Sequence, residues 1–138
     1  MSEKDCIFCR IVRGEIPCAR VYEDDAVLAF LDLGPVRPGH TLLVPKAHCA
    51  TLLELPGDFG PALIAGLKKV GRAVMAATGA TGFHVLQNNF SSAGQSVFHA
   101  HWHIIPREDG DGLNLWPQGA YPDSASMQET AAAIAAQL

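Results

Sequence analysis

The chain has 138 residues, of which 49% are hydrophobic and 17% are charged, a composition typical of one globular domain over residues 1–138. The formal net charge is −4 and no basic run is present, which argues against binding to a nucleic-acid backbone. No stretch of about 20 apolar residues is available to span a membrane. The first residues lack the apolar core of a secretory signal, so we expect a cytoplasmic protein.

In a cytoplasmic protein the four cysteines are expected to be free thiols or metal ligands. Two of them form the pair Cys6-x-x-Cys9, which has the spacing of a zinc half-site. Two ordinary buried thiols are the alternative interpretation. A redox role is disfavoured, because no strand precedes the pair and no βαβ pattern surrounds it.

The first half of the chain predicts three strands. Residues 20–33 predict a β-hairpin around an Asp24-Asp25 turn, and residues 40–45 predict a short, largely buried strand. Between them, residues 34–39 are rich in glycine and proline and predict a loop.

The second half predicts a long helix, two strands and a final helix. Apolar residues recur at helical spacing from Asp58, the expected N-cap, to Thr78, and Gly79 marks the end of this helix. Residues 82–88 and 97–106 predict the strands.

The C-terminal tail, residues 108–138, is predicted to be irregular as far as Pro122. A capping box at Ser126-Met127-Gln128-Glu129 then precedes an alanine-rich helix that ends at Leu138. The order of strands, helix, strands and short helix indicates an α+β fold, in which the long helix covers one face of an antiparallel sheet.

Three histidines at alternate positions, His99, His101 and His103, are the strongest functional signal. Alternation is the period of a strand, so their rings would face one side at a spacing of about 6.6 Å. Histidine titrates near neutrality and serves as nucleophile, proton donor or metal ligand. Packing alone is better served by valine, isoleucine or threonine. A metal cluster and phosphate chemistry are the two functional alternatives.

The segment Gly94-Gln95-Ser96-Val97-Phe98-His99-Ala100-His101-Trp102-His103-Ile104-Ile105 resembles the motif of the histidine triad nucleotide hydrolases and transferases. Phe30-Leu31-Asp32, the stretch from Pro38 to His48 and the N-terminal CIFCRIVRGEIP resemble further parts of the same family. The similarity covers roughly residues 5–107, and Trp116-Pro117 resembles a C-terminal segment of the phosphoramidase branch.

The resemblance implies a five-stranded antiparallel sheet with one long and one short helix. It also implies a homodimer whose two sheets join into one continuous sheet. No catalytic metal is implied. A bacterial branch with the same cysteine pair resembles proteins that hold a structural Zn²⁺ through two cysteines and two histidines, here Cys6, Cys9, His48 and His99.

The resemblance also implies residue roles in a reaction at the α-phosphorus of a nucleotide. His101 would be the nucleophile, with a main-chain carbonyl holding its second ring nitrogen, and His99 would orient it. His103 would contact the phosphate and donate a proton to the leaving group, while His40 supports the site. Ser96 and Gln95 would hydrogen-bond near the leaving group.

Further residues would bind the nucleotide. The resemblance places Asp32 on the ribose hydroxyls and Leu33 near the base, and matches Asn88 to a family asparagine. Phe8 and Ile7 would help to form a purine pocket, although both also fit a buried core.

The function expected from the resemblance is hydrolysis of purine nucleoside phosphoramidates or adenylyl conjugates through a nucleotidyl-histidine. A dinucleoside polyphosphate hydrolase is an alternative, because Pro106-Arg107 resembles that branch. A nucleotide-binding regulatory module with little catalysis is another.

Overall fold

A five-stranded antiparallel sheet forms the centre of the protein, with strand order β1-β2-β3-β5-β4. We describe it from a computed structural model that covers residues 2–114 and 116–138. The strands are β1 Arg20–Glu23, β2 Val27–Leu31, β3 Thr41–Pro45, β4 Gly82–Leu86 and β5 Trp102–Arg107. The α+β class and the antiparallel sheet are therefore confirmed.

Within these described residues, three α-helices accompany the sheet: α1 Ile7–Val12, α2 Gly60–Thr78 and α3 Ser124–Ala135. The sequence did not predict α1, since six residues make fewer than two turns and show no helical period. The Cys6 side chain caps α1 by accepting a bond from the Cys9 amide. Within the described residues, no helix has both the length and the apolar character needed to cross a membrane.

The long helix α2 agrees with prediction at its C-terminus and differs at its N-terminus. It ends at Gly79, whose φ of 72° is left-handed and favours glycine. Asp58 was the predicted N-cap, but it lies in a separate 3₁₀ turn, Gly57–Phe59, and α2 begins directly after that turn.

The sheet is buried on both faces at β2 and β3. One face packs against α2 and the other against α1, so nearly every residue of these two strands is inaccessible. Successive side chains point to opposite faces. The α2 face includes Val27, Ala29, Leu43, Trp102 and Ile104. The α1 face includes Leu28, Phe30, Leu42 and Val44.

The strand that carries the histidines is shorter than predicted. β5 begins at Trp102, so His99 and His101 precede it, and the Ala100 amide donates to the carbonyl of Cys49 at 2.7 Å. His103 is in the strand opposite Leu42, which places it on the α1 face. The rings of His101 and His103 are 5.0 Å apart, closer than the ideal strand spacing.

The predicted start of the last helix is also wrong. Asp123, and not Ser126, is the N-cap of α3: its carboxylate accepts a hydrogen bond from the Ser126 amide at 2.7 Å. Asp123 and Ser126 are both suited to an N-cap, and each is followed three residues later by a main-chain amide. The sequence pattern alone therefore did not distinguish between them. β4 likewise ends at Leu86, two residues before the predicted limit.

Ile104 provides a test of the core between α2 and the sheet, because it is fully buried in the middle of β5. We expect Ile104→Ala to lower the free energy of unfolding by about 2–5 kcal/mol, since it removes buried methyl groups and leaves a cavity. Urea unfolding measures this change. Ile64→Ala, on the exposed side of α2, is the matched control and should change stability by less than about 0.5 kcal/mol. Equal losses in both variants would contradict this description of the core.

Candidate functional site

A cavity of about 250 Å³ lies beside α1 on the sheet face that α1 covers. The side chains of Phe8, Phe30 and Leu42 form an apolar wall, and Asp32, Ser96, His101 and His103 supply polar groups. None of the residues that line the cavity is a lysine or an arginine. An anion bound there would therefore be held by N–H and O–H groups and not by opposite charge.

One ring nitrogen of His101 is hydrogen-bonded, and the other has no hydrogen-bond partner among the residues that the structure describes. Its Nδ1 lies 2.7 Å from the main-chain oxygen of His99, and because a carbonyl only accepts, Nδ1 carries the proton. Nε2 then holds the lone pair. Burial lowers the pKa of His101, which favours the neutral ring. The edge of Phe8 packs against the ring, with the centroids 5.1 Å apart.

His103 lies next to His101 and contacts the buried ring of His40. Its Nδ1 is 2.9 Å from Nε2 of His40. The Asp32 carboxylate lies 3.6 Å from the same His40 nitrogen, and its other oxygen accepts from the Gly34 amide at 2.8 Å. Burial, followed by the neighbouring His101 and His40, lowers the pKa of His103 to about 4.

His99 belongs to a different cluster, although only Ala100 separates it from His101 in the chain. Its ring is fully buried, and Nε2 donates to the carbonyl of Pro45 at 2.8 Å, which leaves Nδ1 without a proton. Nδ1 lies 3.4 Å from the sulfur atoms of both Cys6 and Cys9 and 3.2 Å from Nδ1 of His48. The four ligand atoms all lie within 4.8 Å of one another.

These separations are those expected of a tetrahedral metal site. With Zn–N bonds of about 2.0 Å and Zn–S bonds of about 2.3 Å, tetrahedral geometry puts two nitrogens about 3.3 Å apart and nitrogen and sulfur about 3.5 Å apart. The observed distance between the two histidine nitrogens is 3.2 Å, and three of the four N···S distances are 3.3–3.4 Å. The bond from His99 to Pro45 is the kind of outer contact that orients a ligating histidine.

The charges of the cluster also fit a divalent cation. Burial, followed by the contact with Cys6, raises the pKa of the Cys9 thiol to about 12, so the thiol remains protonated without a metal. Two thiolates and one Zn²⁺ sum to zero charge, which avoids leaving a net charge in a buried site. Cys6, Cys9, His48 and His99 could therefore hold Zn²⁺ with no open position.

Gln95 organises the loop that precedes the histidines. Its side-chain oxygen accepts from the Phe90 amide at 2.8 Å, and its nitrogen donates to the carbonyls of Ala50 and Val97 at 2.6 and 3.1 Å. Phe90 has φ 69° and ψ 159°, a conformation that strongly favours glycine. The bonds of Gln95 help to hold this strained segment and position Ser96 at the cavity.

The structure brings together most of the residues expected to bind or react. Seven of them line the cavity: Ile7, Phe8, Asp32, Leu33, Ser96, His101 and His103. His40 reaches the site through His103, whereas Asn88 and Gln95 do not line the cavity. Gln95, expected near the leaving group, instead bonds to the main chain.

Sequence reasoning missed several apolar residues of the wall. These are Ile11, Ile16, Pro17, Cys18, Ala19, Phe30, Leu31, Leu42 and Val97. They come from α1, the segment after it, β2, β3 and the loop before the histidines, and no local pattern marks them as neighbours.

Known proteins are similar to this chain in sequence. A protein of Arabidopsis thaliana named as an adenylylsulfatase is 45% identical over 111 residues, which are 80% of this chain and 56% of the length of that protein. An adenosine 5'-monophosphoramidase of Schizosaccharomyces pombe is 43% identical over 121 residues, covering 86% of each chain.

A solved structure extends the comparison to the fold. The crystal structure of a Zn-bound histidine triad family protein from Mycobacterium smegmatis superposes with a TM-score of 0.77 at 33% identity, over 96% of this chain and 99% of that one. The model of the HIT domain family matches residues 13–110, well over half of the sequence. With this match and these relatives, the chain belongs to the HIT domain family.

Proposed function

We propose that this protein is a nucleotide hydrolase that cleaves purine nucleoside phosphoramidates or related adenylyl conjugates at the α-phosphorus. The observation that carries the proposal is the ring of His101, held by the His99 carbonyl with its free Nε2 beside an apolar cavity. The relatives named as an adenylylsulfatase and an adenosine 5'-monophosphoramidase support the substrate class.

In the proposed reaction, the lone pair of His101 Nε2 forms a bond to the α-phosphorus. The bond from phosphorus to the leaving group breaks, its electron pair departs with that group, and the leaving group takes up a proton from solvent. Water then attacks the phosphorus, the bond to Nε2 breaks, and the lone pair returns to the ring while a proton passes to solvent. The bond from Nδ1 to the His99 carbonyl favours the positive charge that the ring carries in the intermediate.

The remaining groups of the cavity are assigned to binding. The Asp32 carboxylate, at the end of β2, is proposed to accept hydrogen bonds from the ribose hydroxyls, and Leu33 and Phe8 to contact the base. Ser96 is proposed to donate to the phosphate or the leaving group. We further propose a homodimer that forms at the edge strand β4, where Phe83 and Val85 are exposed.

We also propose that Cys6, Cys9, His48 and His99 hold a structural Zn²⁺, supported by the tetrahedral spacing of their ligand atoms and by the Zn-bound relative. When bound, the ion would neutralise the two thiolates and fix α1 to the histidine segment. His99 links the two sites, since its ring belongs to the cluster and its carbonyl holds His101.

His101→Ala tests the nucleophile. We expect the rate of phosphoramidate hydrolysis to fall more than about 10³-fold, because no other group replaces the lost nitrogen. Nucleotide binding should persist, because the apolar wall and Asp32 remain. Rapid-quench intact mass spectrometry with an adenosine phosphoramidate should show one nucleotidyl group on the wild type only. Retained activity in the variant would rule out His101 as the nucleophile, and faster turnover of dinucleoside polyphosphates would favour the alternative substrate class.

Cys9→Ser tests the metal proposal. We expect the wild-type protein to contain one zinc ion per chain and the variant to lose it, because a hydroxyl is a poor substitute for a thiolate ligand. The matched control is Cys18→Ser, which changes a cysteine outside the cluster and should retain zinc. Elemental analysis after gel filtration gives the zinc content, and zinc retained by Cys9→Ser would contradict the ligand set.

The low pKa of the half-buried His103 predicts a pH dependence of stability. His103 has a pKa of about 4 when folded and 6.5 as the reference value. Between these values the unfolded chain binds a proton that the folded chain does not, so the free energy of unfolding falls as the pH falls through this window. We expect the urea midpoint to decrease less between about pH 7 and pH 5 in His103→Gln than in the wild type. The same decrease in both proteins would contradict the assignment.

A further inference from the structure

A chain of hydrogen bonds connects the main chain of the loop after β2 to the ring of His103. The amide of Val36 donates to Nδ1 of His40 at 3.0 Å. On the other side of that ring, Nε2 lies 2.9 Å from Nδ1 of His103. His40 is almost completely buried, so water does not compete for either nitrogen.

The direction of every bond in this chain follows from the first one. A main-chain amide always donates, so Nδ1 of His40 must present a lone pair. Because a neutral imidazole has one proton, that proton is on Nε2, which faces His103. Nδ1 of His103 must then accept, and the single proton of that ring is on its Nε2.

We propose that the main-chain amide of Val36 is a positioning group, which holds His40 and His103 in the Nε2–H tautomer so that His103 presents an N–H to the bound phosphoryl group. The role toward a phosphoryl group rests on the proposed function, whereas the tautomers do not. His101 is held in the opposite tautomer by the His99 carbonyl. Two rings 5.0 Å apart thus offer a lone pair and a donor.

This arrangement makes His103 a hydrogen-bond donor and not a source of protons. A neutral ring that released its Nε2 proton would become an imidazolate, and His40 has no second proton to replace it. The assignment therefore differs from the proton-donor role that the resemblance implies. An N–H aimed at the phosphoryl oxygens stabilises the charge that builds up there during attack.

The same proton argues against a metal ion held jointly by Asp32, His40 and His103, although their ligand atoms are close together. Nε2 of His40 would have to lose its proton to bind a cation, and the ring would then need a proton on Nδ1, opposite the Val36 amide. This cluster differs from that of His99, whose Nδ1 is left free by its bond to Pro45.

The loop that carries Val36 is anchored at both ends. The Gly34 amide donates to Asp32 at 2.8 Å, and the His40 amide donates to the Arg37 carbonyl at 3.1 Å. The guanidinium of Arg37 forms ion pairs with Glu108 and Asp111 at 3.2 Å. The Val36 side chain itself is half exposed, so its replacement should disturb the packing little.

The test compares Val36→Pro, which removes the amide proton, with Val36→Ala, which keeps it. Histidine-labelled protein without substrate is studied by long-range ¹H–¹⁵N NMR, which distinguishes the two tautomers. We expect Nε2–H at His40 and His103 in the wild type and in Val36→Ala. In Val36→Pro we expect the Nδ1–H form to become populated at both rings and kcat/KM to fall at least about 10-fold.

Nδ1–H at His103 in the wild type would overturn the proposal, and this result needs no variant to fold. Unchanged tautomers in a folded Val36→Pro protein would overturn it as well. Because the NMR readout needs no turnover, it separates this proposal from the proposed function. Failure of every nucleotide substrate together with the expected tautomers would leave the positioning role standing and reject only the hydrolase.

Discussion

Three interactions of His99 connect the N-terminal helix, the sheet and the proposed nucleophile. Its Nε2 donates to Pro45 at the end of β3, its Nδ1 faces the sulfur atoms at α1, and its carbonyl accepts from His101. The residue is fully buried, so each of these polar groups would be costly to leave without a partner. A shift of α1 or β3 would therefore be transmitted to the ring of His101.

The position of the His101 ring depends most strongly on α1, because a helix of six residues is not stable by itself. Phe8 and Ile11 pack it against the sheet, and the cluster at Cys6 and Cys9 holds its N-terminal end. The same helix forms a wall of the cavity. In the proposed zinc-bound protein, the metal would stabilise the cavity without contacting the nucleotide.

The cavity has an unusual electrostatic character for one that is proposed to bind a phosphate. In the part of the chain that the structure describes, no lysine or arginine lines the cavity, and burial lowers the pKa values of His40, His101 and His103. The histidines are therefore neutral near pH 7, and their effect depends on which nitrogen carries the proton. Main-chain groups, a carbonyl at His99 and an amide at Val36, decide this for the two rings that face the cavity. Such main-chain groups do not titrate, so each ring keeps its tautomer as long as the ring is neutral.

Helical periodicity was sufficient to predict α2, and short apolar runs bounded by turn residues were sufficient to predict β2 and β3, which are buried on both faces. The histidines at 99, 101 and 103 indicated chemistry, because imidazoles in strict alternation are poorly suited to packing. The resemblance supplied the expected ligand set and the expected residue roles, which stay predictions. The sequence did not predict α1 or the start of β5, since the first is too short to show a period and the second depends on the bond between Ala100 and Cys49.

The sequence by itself thus determined the class of fold, the family and the side chains available for the proposed reaction. Only the tertiary structure decided which nitrogen of each ring is free, because that depends on main-chain groups that are not encoded by any side-chain pattern. It also decided that Gln95 supports the loop and that His99 faces the cysteines. Partners such as His48 and Cys9 are 39 residues apart in the chain, and only the packing of α1 against the sheet brings them together.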